Sequence, residues 1–375
     1  MVCLKHLQPL VVASILILLP ATAFPEVGDD RCNCYLTNGS NENYFTTHKF
    51  FDFRELSSYA GVPGLIADPY DSSQADVTSE YFSSDEWTTH WGIQGWNNSA
   101  SLDQGDASVL MVHSPNNIYI EKNQDENPAS STFMTLRTLR LKDYQSSAEF
   151  ESISQAYHFV SARMYARTIG EPGAVTAMFT YLNTGDSSEL TTVQESDLEI
   201  RTIDPPDSVQ YTNQPSYSSK GFDIPEATRN VTIPSGRNWS DWAVYRMDWS
   251  PTNTTWFIDG ENVASIAFQT PRDPSMLIFN TWSDGGTWSG NMSVGGEAYL
   301  HVQWIELVYN MTGNAKTTDK RDGQTCNNVC SIDDTAKIGT AVLLQGGASR
   351  LISQFGSFGA VYSWIPILSM AFMLR

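Results

Sequence analysis

The chain has 375 residues, enough for one large all-β domain or two smaller ones. Its 42 acidic residues outnumber 22 Lys plus Arg, giving a formal net charge of −20. That balance repels phosphates and excludes nucleic acid as a partner. Eleven Trp and 16 Tyr are many for such a chain. Aromatic rings most often fill sandwich cores, and they also suit neutral ligands with apolar faces and hydroxyl rims, sugars among them.

Residues 1–23 place Lys5 ahead of an apolar run that ends in Ala21-Thr22-Ala23. This pattern predicts a secretory signal peptide cleaved after Ala23 and an extracellular protein. Cys3 leaves with it, so Cys32, Cys34, Cys326 and Cys330 remain. An even number in an oxidising compartment implies disulfides. Three connectivities are open, and bonds between the two ends of the chain are favoured because sandwich termini often meet. Cys-x-Cys and Cys-x3-Cys do not have the spacing of a zinc ribbon. Seven Asn-x-Ser/Thr sequons, at Asn38, Asn97, Asn230, Asn238, Asn253, Asn291 and Asn310, are candidate glycosylation sites and mark expected surface.

An N-terminal segment, 24–44, carries the first cysteine pair. From 45 to 312 the runs "SARMYARTI", "AVTAMFTYL", "WAVYRMDW", "TTWFIDG" and "AYLHVQWIELVYN" are short, aromatic or β-branched, and bounded by Gly, Pro, Asn and Asp. They predict strands. No long stretch has a helical period, so an all-β antiparallel sandwich is expected. A C-terminal segment, 313–345, holds the second cysteine pair. Residues 346–375 combine small residues at Gly346–Ser349, a spacer and the apolar run "FGAVYSWIPILSMAFML". This fits a glycosylphosphatidylinositol (GPI) attachment signal, with a retained transmembrane span as the alternative.

The chemistry is written in "TTVQESDLEIRT", residues 191–202. On a strand, alternate side chains share a face, so Val193, Glu195, Asp197, Glu199 and Arg201 face one way. Gln194, Ser196, Leu198 and Ile200 face the other. Same-face neighbours lie about 7 Å apart, and a row of three acids repels itself unless it has a use. A hydrated surface face is the plain alternative. Cleavage of a glycosidic bond with retention needs one ionised carboxylate and one protonated carboxyl. Two Glu four residues apart, with Cα atoms about 13 Å apart on a straight strand, can lean together in a curved sheet.

These residues give the chain its resemblance to glycoside hydrolase family 16, the laminarinase, lichenase and fungal wall-glucan group. Glu195-Ser-Asp197-Leu-Glu199 is similar to the family's Glu-x-Asp-x-Glu strand. "GEPGAVTAMFTYLN" and "VQYTNQPSY" resemble the strands before and after it. "WAVYRMDWSPTNTTWFIDGENVAS" resembles its hairpin, "PSMLIFNTWSDGGTWSG" its Asn-x-Trp-x-x-Gly-Gly segment and "LHVQWIELVY" its closing strand. The resemblance covers about residues 45–311. It implies a β-jelly-roll sandwich of the concanavalin A type with a cleft across its concave sheet. It implies Glu195 as nucleophile, Asp197 as the assisting carboxylate and Glu199 as acid/base. Trp282 falls where the family presents an aromatic side chain to the cleft. Tyr181, Asn213, Gln214 and Trp288 are further candidates for sugar contact. Trp239, Trp242, Trp249 and Trp256 are expected in the core. Ser196 stands where an apolar residue is usual, so looser packing is expected there, and Ala243 where many members carry His. His90 and His158 have no nucleophile beside them and read as surface or core.

The leading expectation is a secreted, retaining endo-β-glucanase acting on 1,3- or mixed 1,3/1,4-linked glucan in cell-wall polysaccharide metabolism. It would be monomeric, held at the membrane or wall through its C-terminal anchor, with β-glucan as its partner. A transglycosylase joining glucan or chitin chains and a non-catalytic, lectin-like glucan binder are the alternatives. No cofactor is expected; some relatives hold a structural calcium ion, and nothing in this sequence marks ligands for one.

Overall fold

The aromatic and β-branched runs all form strands, because alternate residues can reach a core while the backbone pairs laterally. The computed structural model describes residues 24–39, 44–102, 105–183, 185, 193–312 and 326–345. The signal segment 1–23 and the anchor segment 346–375 lie outside the described residues. In the main body the strands of five or more residues are β1 (Thr47–Asp52), β2 (Ile118–Lys122), β3 (Thr132–Arg140), β4 (Gln145–Ser152), β5 (Tyr157–Gly170), β6 (Val175–Asn183) and β7 (Val193–Arg201). They continue with β8 (Ser208–Gln214), β9 (Thr228–Thr232), β10 (Ala243–Trp249), β11 (Thr254–Ile258), β12 (Glu261–Ile266), β13 (Met276–Trp282) and β14 (Glu297–Met311). The helices described are single short turns.

One continuous sheet folds into two layers. The path is β9-β8-β7-β6-β13-β4-β3-β14-β5-β10-β11-β12, with β1 and β2 pairing alongside β14 and β3. The layers meet at β4, whose Gln145 and Ser146 pair with β3 while Ala148–Glu151 pair with β13. Nearly every pairing is antiparallel, as a jelly roll requires. Between the layers lies one apolar core, with Leu198 and Ile200 from β7, Tyr211, Met178 and Phe279 on one side. Met164, Met247, Trp249, Trp256 and Ile305 come from the other. The turn before β6 needs glycine at Gly173: φ is +105°, and a Cβ there would come within 2.6 Å of the Met292 backbone nitrogen.

Three expectations meet the structure here. Trp239, Trp249 and Trp256 are buried as core aromatics, but Trp242 is not. It lies half-buried on the outer face, its Nε1 donating to Asp125 at 2.9 Å and Arg167 standing 4.5 Å from its ring centre. Trp242 is one residue out of phase with the core positions of β10, so it faces outward. Ala243 is buried in the core beside Ala166 of the neighbouring strand β5, in the layer that does not carry the acids.

Ser196 is fully buried, and hydrogen bonds replace the looser packing expected at this position. Its Oγ donates to Asn213 Oδ1, lies 2.8 Å from Thr254 Oγ1 on the opposite layer, and its backbone N–H donates to Thr180 Oγ1. The small residue thus joins the two layers under the acid strand. Ser196→Val is therefore expected to destabilise the fold by about 1–3 kcal/mol, because Asn213 Oδ1 is left buried without its donor. Denaturant titration measures this, and an equal or more stable valine variant would show that the network contributes nothing.

The ends of the chain form a second, five-stranded sheet in the order Glu26–Val27, Ala341–Gln345, Val329–Ser331, Cys34–Leu36, Tyr44–Phe45. It packs Tyr35, Phe45 and Ile332 against Val308 of β14. Disulfides Cys32–Cys330 and Cys34–Cys326 join the two ends, the arrangement favoured from the sequence. Asp333 completes the seam by accepting from Arg163 at 2.6 Å and from Arg246 at 3.4 Å.

Candidate active site

The acids of β7 lie at the centre of the concave face of the β9-to-β4 layer. Register sets this up row by row. Glu195 stands between Tyr181 of β6 and Gln214 of β8, Asp197 between Phe179 and Thr212, and Glu199 between Ala177 and Gln210. Leu198 and Ile200, one position out of phase, are in the core. All three acids therefore share one face, as the alternation predicts.

A cleft crosses this face in two compartments. The first, of about 480 Å³, has walls from Trp96, Phe179, Tyr181, Met276 and Trp282. The second, of about 760 Å³, is lined by amides and hydroxyls, including Gln210, Thr212, Gln214 and Asn230. Glu195, Glu199 and Trp282 line both compartments. The acids thus sit on the dividing line between the two compartments.

Asp197 is the most enclosed of the three, at 1% exposure. Among the described residues no N–H or O–H group donates to either of its oxygens in ordinary hydrogen-bond geometry. Its closest polar companions are the Glu195 carboxyl and Gln214. Two carboxyls side by side can share a proton, which keeps one of them neutral. Burial pushes Asp197 well above the usual carboxylate range, and the charges of Glu195 and Glu199 add to it. Glu195 is raised to about 7 by burial, opposed by its bond with Asp197. Glu199 is raised to about 8 by burial and by the charge of Glu195, opposed by Arg201. The trio titrates as one unit. Near neutral pH it holds fewer charges than carboxyls, so an ionised nucleophile and a protonated donor can coexist.

These raised values also bear on stability. A carboxyl that is harder to ionise when folded leaves the folded state with more bound protons than the unfolded chain. Unfolding free energy then falls as pH rises above the ordinary Glu value of 4.5 and continues falling to about 8. Glu199→Gln is expected to melt higher than the parent at about pH 8 and at the same temperature at about pH 4. Melting curves across pH check this; a gap independent of pH would remove Glu199 from the buried, charge-coupled position.

The other predicted contacts separate clearly. Trp282 and Trp288 stack with ring centres 6.0 Å apart and planes 20° apart, and Arg201 stands 5.1 Å from the Trp288 ring centre. Trp288 and Gln214 line the second compartment and Tyr181 the first. Asn213 does not face the cleft. It is fully buried on the opposite side of β8, accepting from Ser196 and donating to the carbonyls of Ile266 and Phe268. It and Gln214 are sequence neighbours, and only one of two neighbours on a strand can point into the groove. His90 packs against Phe51 and His158 lies against the Arg272 carbonyl, both apart from the cleft.

Several cleft residues went unread in the sequence. Glu149, buried, accepts from Trp96 Nε1 at 2.7 Å and from Asn280 Nδ2 at 3.2 Å, and Glu151 lines the same wall. The alternation Glu149-Phe150-Glu151 in "AEFES" was the available signal, the same period-two pattern as the acids of β7. Among the described residues no three His, Cys, Asp or Glu side chains converge as metal ligands. The sequons divide by the state of the amide nitrogen. Asn253 Nδ2 donates to Thr255 and Ser265, and Asn310 Nδ2 to the Tyr44 carbonyl; both residues are half-buried, against the expectation that sequons mark surface. Asn38, Asn97, Asn230, Asn238 and Asn291 are exposed.

Comparisons with known proteins place the chain among glucanases. A "Xylanase/beta-glucanase" of Ruminococcus flavefaciens is 22% identical over 271 residues, covering 70% of this chain and 29% of that protein. A "Beta-glucanase" of Bacillus subtilis (strain 168) is 25% identical over 159 residues, covering 41% of this chain and 60% of the other. The chain thus spans less than two thirds of the length of either relative. The solved β-glucanase of Bacillus licheniformis aligns over 60% of this chain and 94% of its own, at 20% identity and a TM-score of 0.46. The model of the family "Glycosyl hydrolases family 16" matches residues 114–306, just over half the chain and the whole of the acid strand and its neighbours. This chain belongs to glycosyl hydrolases family 16.

Proposed function

We propose that this protein is a retaining endo-β-glucanase that cuts internal 1,3- or mixed 1,3/1,4-linkages. One observation carries the reading: Glu195 and Glu199 both line each of two adjoining compartments, with Asp197 enclosed between them. A groove open on both sides of the reacting acids suits the interior of a chain, since sugar units can bind on either side of the bond to be cut. Aromatic walls match sugar faces, and the polar lining matches hydroxyls.

The geometry supports a two-step displacement. The ionised Glu195 attacks the anomeric carbon and forms an ester with it, while Glu199 gives its proton to the departing glycosidic oxygen. Glu199, now ionised, takes a proton from water, whose oxygen attacks the same carbon and frees Glu195. Each step inverts, so the product keeps the starting configuration. Asp197 shares its proton with Glu195 before attack, holding that carboxyl in place and moderating its charge. Glu195 and Glu199 lining the same two compartments supports their acting on one bond.

Transfer to a sugar hydroxyl is the competing fate of the same ester. The larger, amide- and hydroxyl-lined second compartment favours it, because an acceptor sugar could be held there in place of water. We also read the protein as exported, glycosylated and tethered outside the cell through residues 346–375. Two disulfides joining its ends support the export. The deciding experiment incubates the protein with laminarin, lichenan and chitin oligosaccharides and sizes the products. Shorter chains with reducing ends indicate hydrolysis and longer chains indicate transfer. Binding without either would leave only a lectin-like role.

A further inference from the structure

We infer that Asn230 carries an N-linked glycan that roofs the second compartment and limits how much polysaccharide that half of the cleft can hold. The inference rests on the cleft being the substrate groove. Asn230-Val231-Thr232 is an Asn-x-Thr sequon on β9, the edge strand of the concave layer. Its partner across β8 is Gln210, and the partner of Gln210 across β7 is Glu199. Three side chains thus form one straight row on the concave face, and Asn230 lies two strand spacings, about 10 Å, from the acid/base.

Asn230 is exposed and lines the second compartment. Gln210 Nε2 donates to its Oδ1 at 2.9 Å, which turns the amide so that Nδ2 makes no hydrogen bond among the described residues. Nδ2 is the atom that bears a glycan. At Asn253 and Asn310 it is already committed to protein acceptors, and a sugar there would break those bonds. Modification joins Nδ2 to the anomeric carbon of an oligosaccharide carried on a lipid diphosphate. That carbon's bond to the diphosphate breaks, and the lipid diphosphate and one proton leave. A branched oligosaccharide rooted on this exposed row, in the lining of the compartment, extends over the groove or past the sheet edge beside it. Either course narrows the lateral entrance that a long polymer would use, while a short oligosaccharide enters along the groove.

The test uses the full-length protein from its source, the Thr232→Ala variant, which removes the sequon and keeps the Asn230 amide, and Asn291→Gln as a control sequon. Mass spectrometry of the peptide holding Asn230 should show it glycosylated in the parent and bare in Thr232→Ala. Hydroxyl-radical footprinting should then show Trp288 and Tyr217, which line the same compartment, oxidised several-fold faster in Thr232→Ala and unchanged in Asn291→Gln. With Glu195→Gln added to stop turnover, Thr232→Ala should bind laminarin several-fold more tightly and a laminari-tetraose equally well. A bare Asn230 in the parent overturns the proposal, as does a footprint that does not change. Equal tightening for polymer and tetraose overturns the length limit. Failure of every form to bind any β-glucan would instead count against the substrate, and the footprint would still decide the roof.

Discussion

Glu195→Gln is expected to lower the rate on laminarin or lichenan by about 10⁴-fold or more, with the protein still folded. The amide is nearly the same size as the carboxyl, yet it cannot attack an anomeric carbon, so the first step stops. Glu195 is half-buried at the dividing line of the groove, so an amide of nearly the same size should leave the fold intact. Its charge pushes on Asp197 and Glu199, and removing it should bring Glu199 down toward the ordinary range. Leaving-group dependence separates the two glutamates. A Glu199→Gln enzyme should still transfer the glycosyl unit from an aryl glycoside whose phenolate leaves without protonation, whereas Glu195→Gln should not. Initial rates on both substrate types check this. Retained polymer cleavage by Glu195→Gln would take the nucleophile's role away from Glu195.

The second large effect concerns the seam at the chain ends. Cys32–Cys330 and Cys34–Cys326 close sequence separations of 298 and 292 residues, nearly the same loop. With either bond intact, the other closes only a ring of a few residues. In the chain-entropy account, losing one bond should then cost about 2 kcal/mol and losing both about 6 kcal/mol or more. The double variant would free the small sheet that covers Val308 and release Asp333 from Arg163 and Arg246. Denaturation midpoints of the two single and one double Cys→Ser variants measure the pattern. Additive losses would mean that the bonds constrain different parts of the unfolded chain.

Much of the site was legible because a strand repeats every two residues. The spacing of Glu195, Asp197 and Glu199 put them on one face without any coordinates, and the same rule put Leu198 and Ile200 in the core. Where that rule needed a phase it failed. Asn213 and Gln214 were both candidates for sugar contact, and only pairing with β7 showed which one looks into the groove. Trp242 has the composition of a core residue and faces outward for the same reason. Ser196 showed as an oddity, but its partners, Asn213 and Thr254, are 17 and 58 residues away.

The sequence by itself determined the all-β class and the acid row, because each depends on neighbours within a few residues or on composition. Which cysteines pair across 298 and 292 residues was left to the fold. Tertiary structure alone decided the cleft. Glu149 and Glu151 of β4 reach the same groove as Glu199 only because β13 and β6 lie between them. Asn230 adjoins the acids only because β9 pairs with β8. Side-chain alternation is local and is carried by the chain itself. Which strands become neighbours is settled by burial of the whole core, and that is where the groove comes from.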